Sequence, residues 1–502
     1  MISYKNPILK GFNPDPSICR VGDDFYMVTS TFEFFPGVPV YHSTNLVEWE
    51  LINYCLTDKS RLDLEGIECS KGIYAPTIRH HNGRFYMITT NVSKGGNFIV
   101  YTDDIYGKWS EPVWIEQDGI DPSLFFDDDE KCYFCNTNTY KGKPSIFAFE
   151  INPETGEIIG EKHIISHGTG GTFPEAPHIY KINGYYYLML AEGGTQFGHM
   201  ETILRSKEVF GTYISCPRNP ILTHRDYMGT KIQATGHADL FEDRNGNWWA
   251  VCLGVRKVDY GWLHNLGRES FLSPVTWDDD GWPIVGNNGR IALEMSGPLP
   301  KGGKNKDDIN AVTDYLKEDY HLHWNFVRNP DEENYSFSDG QLLIYGKESG
   351  LSSYTPAFTG IRQTDFCMSY ETEAELINER GGGEAGITAF YNKDYYYSMS
   401  ISKKDDACEI KQRAVLHGYE SIANCVKVNT KNVKFRLRTD MNVYEFSYEY
   451  EGKWNTLASM PVAGLCTEGT KTTTFTGTYI GLFAVNTDAE FTHFIVKNEE
   501  EE

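Results

Sequence analysis

The sequence predicts an all-β protein: a five-bladed β-propeller over residues 1–300, followed by a β-sandwich over residues 310–502. Three observations lead to this reading. One short pattern recurs five times in the first part of the chain, a different strand rhythm follows it, and no segment carries the spacing of a long amphipathic helix.

The recurring pattern starts at Asp15 (DPSICRVGDDFYMV), Ala75 (APTIRHHNGRFYMI), Asp121 (DPSLFFDDDEKCYF), Ala176 (APHIYKINGYYYLM) and His237 (HADLFEDRNGNWWA). Each copy runs from a head, usually followed by Pro, through apolar residues and a turn rich in Asp, Asn or Gly to an aromatic or apolar run, which is the pattern of a β-hairpin. A hairpin recurring every ~40–60 residues cannot bury its sheet face alone and marks a radial array, so each copy is taken as one blade. Further hairpins fill the blades from Val40, Phe98 and Ser145. In such an array the innermost strands run side by side along the axis, and equivalent positions of distant repeats converge. Asp15, Asp121 and His237 are therefore expected at one mouth of the channel, with Glu175 and Tyr74 one step earlier in their own repeats. Strands alternate faces with period two, so that offset would turn Glu175 away, and spacing alone leaves the question open.

The stretch GPLPKGGKNKDD, from Gly297 to Asp308, breaks the pattern with Pro, Gly and charge and is read as the linker. Beyond it, strands are expected in the runs beginning at Phe337, Phe358, Ala385, Val433 and Phe475, with no helix between them, as in a sandwich. This second domain lacks the repeated heads. On sequence alone it is a carbohydrate-binding module, a rigid support or a lid over the channel.

The chain carries 46 basic and 70 acidic residues, a net charge of −24, which argues against nucleic acid or an anionic membrane as partner. The plain reading of that acidity is solubility. The N-terminal residues have no apolar core of signal-peptide length, no run is long enough to span a membrane, and the eleven cysteines are irregularly spaced. The cytoplasm is the expected location. Cys132 and Cys135 form a CxxC inside an expected strand, where an odd separation sends them to opposite faces, so buried thiols are expected there rather than a redox or zinc pair.

Carboxylates meeting beside aromatics, with no phosphate-binding loop, nucleophile elbow or dinucleotide fingerprint, point to glycoside hydrolysis, which needs one protonated acid and one ionised carboxylate. A third carboxylate can raise the acid's pKa by like-charge repulsion. Each element alone has a bland reading: Asp-Pro opens turns, Glu175 in FPEAP is a loop residue, and a lone His237 is a hydrogen-bonded core histidine. Their shared register sets the bland readings aside. The acidic cluster Asp127–Glu130 lacks the glycine and closing Glu of a calcium loop and is read as a hairpin turn.

The run from Gly11 to Ile52, together with KGIYAPTIRHHNGRFYM, GIDPSLFFDDD, TFPEAPHIYKINGYYYLMLAEGGT, TGHADLFED and LGRES, closely resembles the glycoside hydrolase family 43 β-xylosidases and α-L-arabinofuranosidases, and the resemblance extends through the second domain. It implies Asp15 as the general base, Glu175 as the general acid and Asp121 as the residue that orients Glu175 and tunes its pKa, in an inverting single displacement. Phe32, Tyr74, Ile120, His237, Arg268 and Phe475 are the implied sugar-contacting residues, with Trp in place of Tyr74 in many relatives. For Arg268 the competing reading is a structural pair with Glu269 or a nearby acid. His237 matches a histidine that in relatives supports a calcium ion through water; such an ion would keep most of its water shell, since calcium prefers oxygen ligands. No organic cofactor is expected. The resemblance implies exo action on xylo-oligosaccharides or arabinoxylo-oligosaccharides, with a sandwich loop carrying Phe475 closing the pocket, and a homo-oligomer, since relatives often form dimers or tetramers. A primary arabinofuranosidase is the nearer alternative, and a sugar-binding propeller without catalysis the further one. Inversion requires the two carboxyl groups about 6.5–9.5 Å apart; a gap near 5 Å indicates retention.

Overall fold

The computed structural model describes residues 1–258, 262–300, 311–404, 407–470 and 474–499. Most of the expected linker, from residue 301 to 310, lies outside the described residues. The first part of the chain forms five antiparallel sheets, each beginning with one of the predicted hairpins. Their inner strands are Ser17–Val21, Thr77–His81, Ile120–Phe126, Glu175–Ile182 and Ile232–Glu242. Each contacts the next, and the last contacts the first, so the ring closes. The turns are chemically suited to this: Asn82-Gly83 and Asn183-Gly184 place both residues at positive φ, as two-residue hairpin turns require.

The chain start secures the ring. Ile2–Lys5 pairs with Glu294–Gly297, and the Asn6 amide both donates to the Leu272 carbonyl (2.9 Å) and accepts from its N–H (2.9 Å) in the fifth blade. Cys132 and Cys135 are free and fully covered, but they belong to two different apolar clusters on opposite faces of their strand, as their odd separation requires.

The second domain is a sandwich held by two long strands, Met368–Asn392 and Tyr479–Asn498, which pair with each other along most of their length. Met368–Glu375 pairs with Asn432–Thr439 in one layer, whereas Glu384–Asn392 pairs with Tyr395–Ser402 in the other. The pairing shifts between Glu379 and Glu384, across Gly381–Gly383, where the strand needs the freedom of glycine to change layer. One apolar core fills the space between the layers.

The propeller contributes a strand to the sandwich sheet: Phe34–Phe35 pairs with Phe326 and Val327. Around this seam Phe12, Phe32 and Phe34 pack with Phe358, Phe390, Tyr479 and Phe483 as one apolar cluster. Phe34 and Tyr479 stack at 4.1 Å. Among the described residues helix is confined to short 3-10 turns, and no helix is long and apolar enough to cross a membrane.

Candidate active site

Four of the five repeat heads, Asp15 (φ 55°), Asp121 (φ 53°), Ala176 (φ 49°) and His237 (φ 49°), adopt the left-handed conformation that side chains other than glycine rarely take. In blades three to five the strand register shifts at the same place, between Ile120 and Ser123, Glu175 and His178, and Gly236 and Asp239. Such a bulge interrupts strict alternation and re-aims side chains. It removes the objection that a one-residue offset turns Glu175 away, because the head after it, Ala176, carries the kink. The Ala176 N–H donates to Asp121 Oδ2 at 3.2 Å, so Asp121 holds the backbone beside Glu175.

Asp15 is 3% exposed and densely partnered. Ser30 Oγ donates to its Oδ2 at 2.6 Å, Arg268 Nη1 donates to Oδ1 at 2.8 Å, and His237 Nδ1 lies 3.4 Å from Oδ1. Burial works to raise this carboxyl, but Arg268, His237, the Ser30 hydrogen bond and His199 together hold it below its ordinary value. Glu175 has the opposite environment: burial, then the negative charge of Asp15, push it up to about 7 against the opposing pull of Arg268. Burial and the neighbouring Glu175 and Asp15 also carry Asp121 well above the usual carboxylate range. The site therefore holds an ionised carboxylate, Asp15, next to a carboxyl, Glu175, that keeps its proton in weakly acidic solution, the pairing that acid–base cleavage of a glycosidic bond requires.

An aromatic wall stands over these groups. Phe32 lies 5.1 Å from Tyr74 and 5.5 Å from Phe475, and Tyr74 lies 6.0 Å from Phe475, ring centre to ring centre. The Arg268 guanidinium sits 5.5 Å from Phe32 and 5.4 Å from Phe475. Phe475 comes from the sandwich: its segment lies against the loop that ends in Arg268, with Gly477 tight to the Leu266–Gly267 backbone and Thr478 N–H donating to Asn265 O at 2.9 Å. The structure thus brings Asp15, Asp121, Glu175, Phe32, Tyr74, His237, Arg268 and Phe475 together. Arg268 pairs with Asp15, while its neighbour Glu269 is held by Arg256. Ile120, half-buried and paired to Thr137, is not among the side chains packed on the aromatic wall.

The model for glycosyl hydrolases family 43 matches residues 4–283. The chain belongs to family 43. A second model, described as the beta xylosidase C-terminal concanavalin A-like domain, matches residues 312–497. The chain is 38% identical to a non-reducing end alpha-L-arabinofuranosidase of Bacteroides ovatus over 96% of this chain and 91% of that protein. It is 42% identical to a xylosidase/arabinosidase of Butyrivibrio fibrisolvens over 83% of each. Among solved structures, a xylan beta-1,4-xylosidase from Bacillus halodurans superposes with a TM-score of 0.92 at 31% identity, covering 98% of this chain and all of that one (100%). This family 43 member is a glycoside hydrolase, and xylan- or arabinan-type sugars are its plausible substrate class.

The residues below this family 43 site do not suit a calcium ion. Arg79 reaches into the channel and clamps Asp239 with two hydrogen bonds, at 2.8 and 3.1 Å, and its Nη2 lies 3.0 Å from His178 Nδ1. Ser17 and Tyr180 donate to the same carboxylate, each at 2.7 Å. The oxygens calcium would use are committed to other donors, a guanidinium already supplies the positive charge beside them, and His237 Nδ1 faces Asp15. Among the described residues no group of three or more His, Cys, Asp or Glu side chains is placed to hold a metal.

Sequence reasoning missed Arg79, Asp239, Ser30, His199 and Thr195. The signal for Asp239 lay in the repeat itself: two residues after each head stand Ser17, Thr77, Ser123, His178 and Asp239, polar at one shared register position. Nothing local marks the other residues. Thr195 accepts a hydrogen bond from Arg268 Nη1 at 3.0 Å, and the buried His199 lies against Gly236, where a Cβ would meet its ring at 2.6 Å.

Proposed function

We propose that this hydrolase is exo-acting, releases terminal xylose from β-1,4-xylo-oligosaccharides with inversion, and also releases α-L-arabinofuranose. The observation that carries the reading is the pairing of a carboxylate held ionised with a carboxyl raised to about 7, set beneath a wall that a sandwich residue completes. A terminal pentose fits such an enclosure with its anomeric carbon between Asp15 and Glu175. Asp15 polarises a water for attack on one face, and Glu175 protonates the departing oxygen on the other. Asp121 positions the backbone that carries Glu175. Arg268 keeps Asp15 ionised and fixes its direction, and the aromatic rings take the apolar face of the sugar.

A primary arabinofuranosidase is the second reading. The B. ovatus relative is named for that activity, and Tyr74 stands where many xylosidases carry Trp. The test is release of free xylose and free arabinose from xylo-oligosaccharides and arabinoxylo-oligosaccharides by wild type and Glu175→Ala. Stepwise xylose release lost in the variant supports the first reading. Arabinose alone favours the second, and tight binding without any turnover would return the chain to a sugar-binding role.

A further inference from the structure

The aromatic wall is assembled from segments far apart in the chain, and one small residue touches the fixings of all of them. Ser70 is 3% exposed and left-handed (φ 56°). Its N–H donates to Glu33 Oε2 at 2.9 Å, so it is tied to the residue that follows Phe32. Its carbonyl accepts the Tyr74 hydroxyl at 3.2 Å. Its Oγ accepts the backbone N–H of Phe475 at 2.9 Å, across 405 positions of sequence. Three polar groups of one residue therefore reach Tyr74, Phe475 and the residue next to Phe32.

Glu33 is anchored from the sandwich side. It is 2% exposed, and its carbonyl accepts the Arg328 N–H at 2.7 Å. The wholly buried Arg328 side chain donates from Nε to Ile67 O at 2.7 Å and from Nη1 to Tyr354 O at 3.0 Å, which fastens the loop that carries Ser70. The Arg268 guanidinium also approaches the Phe475 carbonyl, but at 3.5 Å, a much weaker restraint than the Ser70 contact. Among the described residues, Ser70 Oγ is the hydrogen-bond acceptor of the Phe475 N–H.

We propose that Ser70, held by Glu33, is the positioning residue that seats the sandwich-borne Phe475 against Phe32 and Tyr74, and so sets the affinity of the pocket for a terminal pentose. This rests on the reading of that wall as the sugar-binding surface. Ser70 touches neither Asp15 nor Glu175, so its effect falls on binding common to ground and transition states, which appears in KM rather than kcat.

Ser70→Gly tests it, because glycine accepts the left-handed backbone and removes the hydroxymethyl group that holds Phe475. Wild type, Ser70→Gly, Phe475→Ala and the double variant are compared on xylobiose, with melting temperatures recorded. The expected result is a KM raised about fivefold in Ser70→Gly, the effect of losing one hydrogen bond, with kcat and both limbs of the pH profile kept. In the Phe475→Ala background, Ser70→Gly adds nothing further, because the two act through one ring. An unchanged KM, a loss of kcat and melting temperature with KM intact, or additive effects in the double variant would each overturn the proposal. If wild type itself releases no pentose, the reading of the wall as a sugar site fails first, and this outcome is separate from the others.

Discussion

Two layers of the propeller channel, two residues apart along the same inner strands, treat their charges in opposite ways. In the lower layer Asp239 has a complete set of partners: burial is outweighed by Arg79, His178 and Ser17, and its carboxyl stays far below the ordinary range. Thr77 Oγ donates to Pro122 O at 3.0 Å, Ser123 Oγ to Pro177 O at 2.6 Å, and Ser17 Oγ to Asp239, so this layer ties neighbouring blades to one another. In the upper layer a single cation, Arg268, serves three carboxyl groups. It neutralises Asp15, and Glu175 and Asp121 are left raised. One fold position thus gives a clamp where charges are matched and a reactive site where they are left short of partners.

The comparison breaks most visibly through the acid. Glu175→Ala is expected to lower kcat on xylobiose by about 10²–10⁴, and by much less on an aryl glycoside whose leaving group needs no proton. Equal losses on both substrates, measured by initial rates, would remove Glu175 from the acid's role. Asp239→Ala is expected to act on stability, since it strands the buried Arg79 charge; the cost is about 3–5 kcal/mol, read from urea unfolding. An unfolding midpoint equal to wild type would show that the lower layer does not clamp the blades. The smallest effect expected is none: prolonged dialysis against a chelator leaves the rate unchanged, because Arg79 supplies the channel's positive charge. A rate lost to chelation and restored by calcium would contradict that.

The heads and blades were legible because a repeat converts sequence register into spatial convergence, and Asp15 and Asp121 follow from it directly. Glu175 was legible only through the family resemblance, because its direction depends on a left-handed Ala176 and a bulge that alternation does not foresee. Phe475 was named the same way, from outside the repeats. The layer of Ser17, Thr77, Ser123, His178 and Asp239 shares the same register, but short polar residues on inner strands carry no chemistry until their partners across the blades are known. A water-held calcium beside His237 is implied by the family resemblance alone, whereas Arg79, the cation that pairs with Asp239, sits four positions after a head, Ala75, that has no ionisable side chain. Ser30, Thr195 and Ser70 act through contacts between distant segments that no local pattern announces.

The pH dependence of kcat/KM on xylobiose tests the central claim, that the upper layer holds one carboxylate down and one carboxyl up. Asp15 must be ionised, so activity is lost as pH falls through its depressed pKa; Glu175 must be protonated, so activity is lost as pH rises through about 7. The account predicts a bell whose alkaline limb lies near 7, and a rate that stays flat from mildly acidic to alkaline pH would contradict it.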